Sequence, residues 1–284
     1  MDYVKPSQIV NQMIDSGTAK ANLPPVQLLL RGGLAGAILA CATTLAFTAT
    51  AQTNLGIVGA AVFPVGFVII VLLGLELVTG SFALIPPAVL KRKTTPGKML
   101  SSFGWVIGGH VLGCIVYAAL YGLTVTKMGT DMGSPLAQTL VQTAEAKTLA
   151  YKEMGASGMA LVLIKAVLCN WMVTLGAVMA LASNSTIGKI AAMWLPIFIF
   201  FGQGFEHAVV NLFVIPAGMM LGANVGFGDW LIWNQIPVFV GNFAGGALCT
   251  GLMYYWSQTA ASAAPPAGGT SRARSEAAGA EKSA

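Results

Sequence analysis

Two glutamates sit where an apolar chain should carry none. Glu76 lies between Pro64 and Pro86, and Glu206 lies between Pro196 and Pro216, with ten residues from acid to following proline in both cases. Each acid follows a glycine by two positions, in Gly74-Leu75-Glu76 and Gly204-Phe205-Glu206. A charge at the centre of a membrane helix costs about 2.5–3.5 kcal/mol on insertion scales, so such residues mark function or an internal partner. Beside Glu206 stands His207, flanked by Phe200, Phe201 and Phe205. An imidazole in an apolar slit is a proton-responsive hydrogen-bond donor whose charge suits an anion. The residues after each acid, Leu77-Val78-Thr79-Gly80-Ser81 and His207-Ala208-Val209-Val210-Asn211, are rich in β-branched and polar types that interrupt a helix. Irregular backbone at membrane depth survives only where it is buried in protein or lines a cavity. The glutamates also read as partners for backbone N–H groups freed by the breaks, which is compatible with lining a pore. His110 has no companion break and reads as a helix-packing histidine.

The elements that must position these groups follow from composition. The chain has 284 residues, 56% hydrophobic and 9% charged, with a mean hydropathy of +0.75. A soluble domain carries about 25% charged residues, so this chain cannot cover a water-facing surface. Disorder, nucleic-acid binding and a disulfide-stapled secreted fold are excluded together, and the 34 glycines suit close helix packing in lipid. A spanning helix needs about 20 apolar residues. The uncharged runs predict an all-α polytopic membrane protein of six spans: 26–51; 56–90, interrupted at Glu76; 99–126, carrying His110; 157–183, with Lys165 near its start; 190–221, interrupted at Glu206-His207; and 231–256. The interrupted spans are the middle members of two three-span halves, the trace of an inverted repeat with its transport site near the midplane.

Lys and Arg set the orientation. Eleven of the 15 fall on the side shared by the N-terminus, the second-to-third and fourth-to-fifth loops and the tail, which places both termini in the cytoplasm. The net charge of +5 therefore reflects topology. Residues 1–25 lack a signal peptide's basic start. They predict an amphipathic cytoplasmic interface helix beginning at Pro6-Ser7, with Ile9/Met13 and Val10/Ile14 at helical spacing. The membrane domain is expected over 1–258, followed by a disordered cytoplasmic tail over 259–284 rich in Ala, Pro, Gly and Ser. Cys41, Cys114, Cys169 and Cys249 fall in four different spans without ligand spacing and read as small packing residues. No catalytic motif, metal site or cofactor motif appears, and the long segment Lys127–Ala156, read as a loop, contains neither His nor Cys. The protein is expected not to be an enzyme.

Four sequence blocks are similar to those of the formate/nitrite transporter family. Gly204-Phe205-Glu206-His207-Ala208-Val209-Val210-Asn211, followed by Ile215-Pro216, resembles its signature. Phe63-Pro64-Val65-Gly66 and Glu76-Leu77-Val78-Thr79-Gly80 look like its second-span motifs, and Cys169-Asn170-Trp171-Met172-Val173 like its fourth-span motif. The similarity covers roughly residues 1–258 in order. It implies an aquaporin-like fold assembled as a homo-pentamer with one pore per protomer, in a bacterial inner membrane. It also implies His207 as the central histidine, Thr79 as the loop threonine, and Glu206, Asn170 and Asn211 as polar pore residues. The family's extracytoplasmic lysine maps onto Lys147, with Lys152 close by. Apolar constrictions would involve Phe63, Phe67, Leu77, Val78 and Phe200. Val78 departs from the phenylalanine common in the family at that point.

The resulting expectation is transport of a small weak-acid anion, formate or nitrite, that sheds its charge by protonation. Lys147 would concentrate the anion by electrostatic focusing, Thr79 would bind it, and His207 would donate a hydrogen bond or a proton. Its partners are the anion, the bilayer and copies of itself, with no nucleic acid. A passive neutral-solute channel of the water, glycerol or urea type is the rival reading. Paired Asn-Pro-Ala boxes would favour it, and the sequence has none.

Overall fold

The computed structural model describes residues 2–262, and the tail expected to be disordered lies almost entirely outside them. The chain is built from apolar helices: α1 Pro6–Ala21, α2 Pro25–Thr53, α3 Gly56–Val62, α4 Pro64–Leu72, α5 Val78–Leu90, α6 Pro96–Val125, α7 Pro135–Ala146, α8 Leu149–Glu153, α9 Ala156–Met179, α10 Thr186–Gly202, α11 Ala208–Met220, α12 Phe227–Trp230, α13 Ile236–Ala244 and α14 Met253–Ser262. Short π-helical segments, Leu231–Gln235 and Gly245–Leu252, join the last three into one apolar rod. Among the described residues, four helical stretches are long and apolar enough to cross a bilayer, namely Pro25–Thr53, Pro96–Val125, Ala156–Ala182 and Phe227–Thr259. Between them stand two pairs of shorter apolar helices, Gly56–Leu72 with Val78–Leu90 and Thr186–Gly202 with Ala208–Met220.

Glycines set how closely these helices approach. A Cβ on Gly32 of α2 would lie 2.6 Å from the Val106 carbonyl oxygen of α6, so only the bare backbone fits there. Each short pair ends its first helix in the same way. Gly74 and Gly204 adopt left-handed φ values of 63° and 64°. The next amide bonds back across the last turn, Leu75 N to Ile70 O at 2.9 Å and Phe205 N to Phe200 O at 3.2 Å. Glycine carries that φ without steric penalty, and the back-bond satisfies an orphan carbonyl. Leu77 and His207 are then extended, and a new helix begins at the following residue.

Two expectations change. The segment 127–156 is not a plain loop: Pro135 opens α7, the Ser134 hydroxyl accepts from Ala137 N, and Ala137, Leu140 and Ala144 bury one face. Gly218 of α11 admits this helix so closely that an added Cβ would meet Leu140 O at 2.7 Å. The apolar face of α1 does not look outward. Ile9 and Met13 pack with Leu84 and Val178, and Val10 and Ile14 with Ala88 and Tyr255. The N-terminal strand-like strip pairs Tyr3 with Ser183, so the N-terminus and the α9–α10 turn share one end of the bundle. At the other end, Asn224 N donates to Glu145 and Lys152 pairs with Asp229.

Candidate functional site

Both helix breaks bury a glutamate, and both glutamates hold a lysine from a distant segment. Glu76 is 2% exposed and accepts from Lys20 Nζ of α1 at 2.8 Å. Glu206 is 1% exposed and accepts from Lys147 Nζ, at the end of α7, also at 2.8 Å. The Glu206 carboxylate is further held by the Tyr151 hydroxyl at 2.8 Å, Asn211 Nδ2 at 2.7 Å and Asn234 Nδ2 at 3.4 Å. Asn234 also donates to the Lys147 carbonyl at 2.8 Å, so the lysine is fixed at both its backbone and its ammonium. Burial first, and then the Glu206 charge, push the Tyr151 hydroxyl well above its ordinary pKa, which keeps it a donor. Lys165 Nζ lies 3.4 Å from the same hydroxyl, and no carboxylate lies within 4.0 Å of it among the described residues. Lys152, the neighbour that competed for the role of Lys147, pairs instead with Asp229.

His207 caps α11. Its Nδ1 accepts from Val210 N at 3.2 Å, which places the proton on Nε2, and Nε2 lies 3.0 Å from Thr79 Oγ1. The imidazole therefore donates to the threonine hydroxyl, whose own proton remains available to a third group. The ring stacks on Phe200 at 5.5 Å between centroids. One cavity of about 320 Å³ opens beside α1 and is bordered by Ser16, Lys20, Phe67, Leu77, Gly80 and Lys189, among others. A second, of about 170 Å³, lies beside α7 and reaches Lys147, Thr143, Phe200 and His207. A shallower recess outside it is bordered by Lys147, Tyr151, Lys165 and Glu206. His207 borders the second cavity, and Leu77 and Gly80, neighbours of Thr79 in sequence, border the first.

The structure thus brings together His207, Thr79, Glu206, Lys147 and Asn211. Asn170 stands behind Thr79, donating to its carbonyl at 3.1 Å and to Asn242 O at 2.7 Å. Of the apolar group, Phe67 and Leu77 border the first cavity and Phe200 the second. Phe63 is packed away against Phe201, with stacked rings 3.9 Å apart, and Val78 is fully buried at the start of α5. Neither borders these two cavities.

Five residues of this arrangement were not singled out for it by the sequence. Lys20 pairs with Glu76 much as Lys147 pairs with Glu206, and a lysine stands 56 and 59 residues ahead of its acid in the two cases, a recurrence that the sequence displays. Asn234 and Asn242 are polar side chains inside an otherwise apolar span, which is a readable sign. Tyr151 gives no sequence signal. His110, read as a packing residue without a break, meets the first break directly, because its Nε2 accepts from Val78 N at 3.1 Å.

Residues 7–256 match the family model described as formate/nitrite transporter. Among curated relatives, the uncharacterized transporter YrhG of Bacillus subtilis is 33% identical over 90% of this chain and 94% of its own length. The formate channel BtFdhC of Bacillus thuringiensis is 32% identical over 90% of this chain and 96% of its own. A solved structure titled as a pentameric formate channel with formate bound shares the fold, with a TM-score of 0.67 and 21% identity over 83% of this chain and 98% of that one.

Proposed function

The chain belongs to the formate/nitrite transporter family, and from that premise we propose that it moves small monovalent weak-acid anions, formate or nitrite, with a proton, past His207. It is a multi-pass membrane protein whose family comprises transporters and channels, not enzymes. The observation that carries the proposal is the Thr79–His207 hydrogen bond, with one cavity bordered by His207 and Lys147 and another by Gly80 and Lys20.

The proposed architecture has six spans in two inverted halves of aquaporin-like plan, with α3–α5 and α10–α11 as the broken second and fifth spans. The matching glycine turns and lysine–glutamate pairs of the two breaks support it. Both termini face the cytoplasm of a bacterial cell, by the excess of Lys and Arg at that end. The α1 cavity is then the inner mouth and the α7 cavity the outer. A homo-pentamer with one pore per protomer is proposed on the likeness in fold to the pentameric formate channel.

The residues divide the work as follows. At the outer mouth the Lys147 and Glu206 charges cancel, and Lys165 supplies the uncompensated positive charge that raises the local anion concentration. The anion passes to Thr79, whose hydroxyl donates to it while His207 donates to the hydroxyl. An apolar slit disfavours the charged form of a carboxylate and raises its proton affinity. The anion takes a proton from water in the entry cavity and crosses the Phe67–Leu77–Phe200 region as the neutral acid. Asn170 and Asn211 hold the broken backbone and Glu206 in register.

Uptake of formate, nitrite, acetate and sulfate into proteoliposomes at two pH values tests this reading. Formate and nitrite should lead and should speed up at the lower pH, whereas a response confined to divalent or bulky anions would overturn it. Lys165→Met should raise the KM for formate about tenfold, the lower end of steering effects, while leaving the maximal rate within twofold. The difference from wild type should shrink as salt is raised, because screening removes steering.

A further inference from the structure

Each break creates a new helix N-terminus inside the bundle, and a helix start leaves backbone N–H groups without an intrahelical partner. At membrane depth no solvent satisfies them. Val78 and Ala208 open α5 and α11, each two residues after its glutamate. Ala208 N donates to Asn242 Oδ1 at 2.8 Å, while Asn242 Nδ2 donates to the Ala166 and Glu206 carbonyls at 2.8 and 2.9 Å. Val78 N donates to His110 Nε2 at 3.1 Å, and the other ring nitrogen, Nδ1, bonds the Gly32 carbonyl at 2.8 Å. Because a backbone N–H can only donate, Nε2 is the bare acceptor and Nδ1 carries the proton.

An imidazole at one break and a carboxamide at the other thus do the same two things. Each gives an acceptor to the first amide of a half-helix and a donor to a carbonyl of a neighbouring long helix, α2 or α9. His110 and Asn242 are both fully buried. Gly32, which lets α6 lie against the bare backbone of α2, brings its carbonyl within reach of the ring.

We propose that His110 is a positioning residue for the pore: it fixes the Val78 amide and so sets where the next residue, Thr79, presents its hydroxyl to His207. The inference rests on the reading that Thr79 meets the anion. It assigns to His110 a hydrogen-bonding role that an apolar side chain of similar bulk cannot fill and that glutamine, whose side-chain amide oxygen reaches about as far as the imidazole Nε2, can.

His110→Gln and His110→Leu, compared with wild type in proteoliposomes, test it. His110→Leu should assemble yet lose at least tenfold in maximal formate rate, and His110→Gln should keep the rate within threefold of wild type. Amide hydrogen exchange over residues 76–82 should accelerate in His110→Leu and remain protected in His110→Gln. A folded His110→Leu protein with wild-type rate and protection would overturn the proposal. So would a folded His110→Gln protein that fails like the leucine variant. If His110→Leu does not assemble, the glutamine variant alone decides between these outcomes. If wild-type protein carries no formate, the functional reading fails, and the exchange measurement still tests the cap.

Discussion

Replacing His207 by asparagine should lower formate flux about 10–100-fold while leaving the fold intact. The imidazole does two jobs that this substitution separates. Its Nδ1 accepts from Val210 N and caps α11, and its Nε2 donates to Thr79. Asparagine is a good N-cap residue and retains the first job. It is too short to retain the second. A hydrogen bond that ends on a charged group is worth about 1.5–3 kcal/mol, and each 1.4 kcal/mol is about a factor of ten in rate or affinity. His207→Ala should lose the same flux and, in addition, about 1 kcal/mol of stability through the lost cap. The pair of variants separates transport from folding by formate uptake set beside thermal unfolding in detergent. Wild-type flux in either variant would remove His207 from the mechanism.

The second large effect concerns stability. Lys147→Met leaves the Glu206 carboxylate, 1% exposed, without its ammonium partner. Removing one partner of a buried ion pair costs about 3–5 kcal/mol, because the remaining charge stays desolvated. Tyr151, Asn211 and Asn234 still donate to the carboxylate, so the expected loss is at the lower end, about 3 kcal/mol. Adding Glu206→Gln should recover most of that loss, since a neutral amide needs no counter-charge, and the double-mutant cycle measures the coupling directly. The recovered protein should keep its formate KM within about threefold of wild type, because the pair it loses is neutral overall and Lys165 remains beside it. Thermal unfolding of the two single variants and the double variant checks the first statement, and formate uptake the second. Additive unfolding shifts would contradict the coupling.

The sequence exposed the parts of this protein that obey a period or break one. The long helices were readable because a bilayer demands about 20 apolar residues and charges end each run. Both breaks were readable because an acid after a glycine violates that rule twice at the same spacing. His207 and Thr79 were found through the second break and through the family resemblance, and the structure sets them 3.0 Å apart. What stayed hidden was long-range. Nothing local says that Lys20 reaches Glu76 across 56 residues, or that Tyr151 reaches Glu206 across 55. Nor does local pattern reveal that 135–146 forms a helix, since its buried face is three small or apolar residues in a polar stretch. The further role of His110 stayed hidden because the break it meets lies on another helix, across the contact between α5 and α6. Phe63 and Val78 are buried apolar residues that do not border the two cavities, Phe63 packing behind Phe200 and Phe201, a distinction no spacing encodes.

The central claim is that the anion crosses together with a proton past His207. The most direct test is the internal pH of proteoliposomes during an imposed inward formate gradient, recorded alongside formate uptake and against protein-free vesicles. Wild-type protein should acidify the lumen in step with uptake, and His207→Asn should slow both together. Formate uptake without acidification, or fast glycerol entry with no formate uptake, would contradict the account.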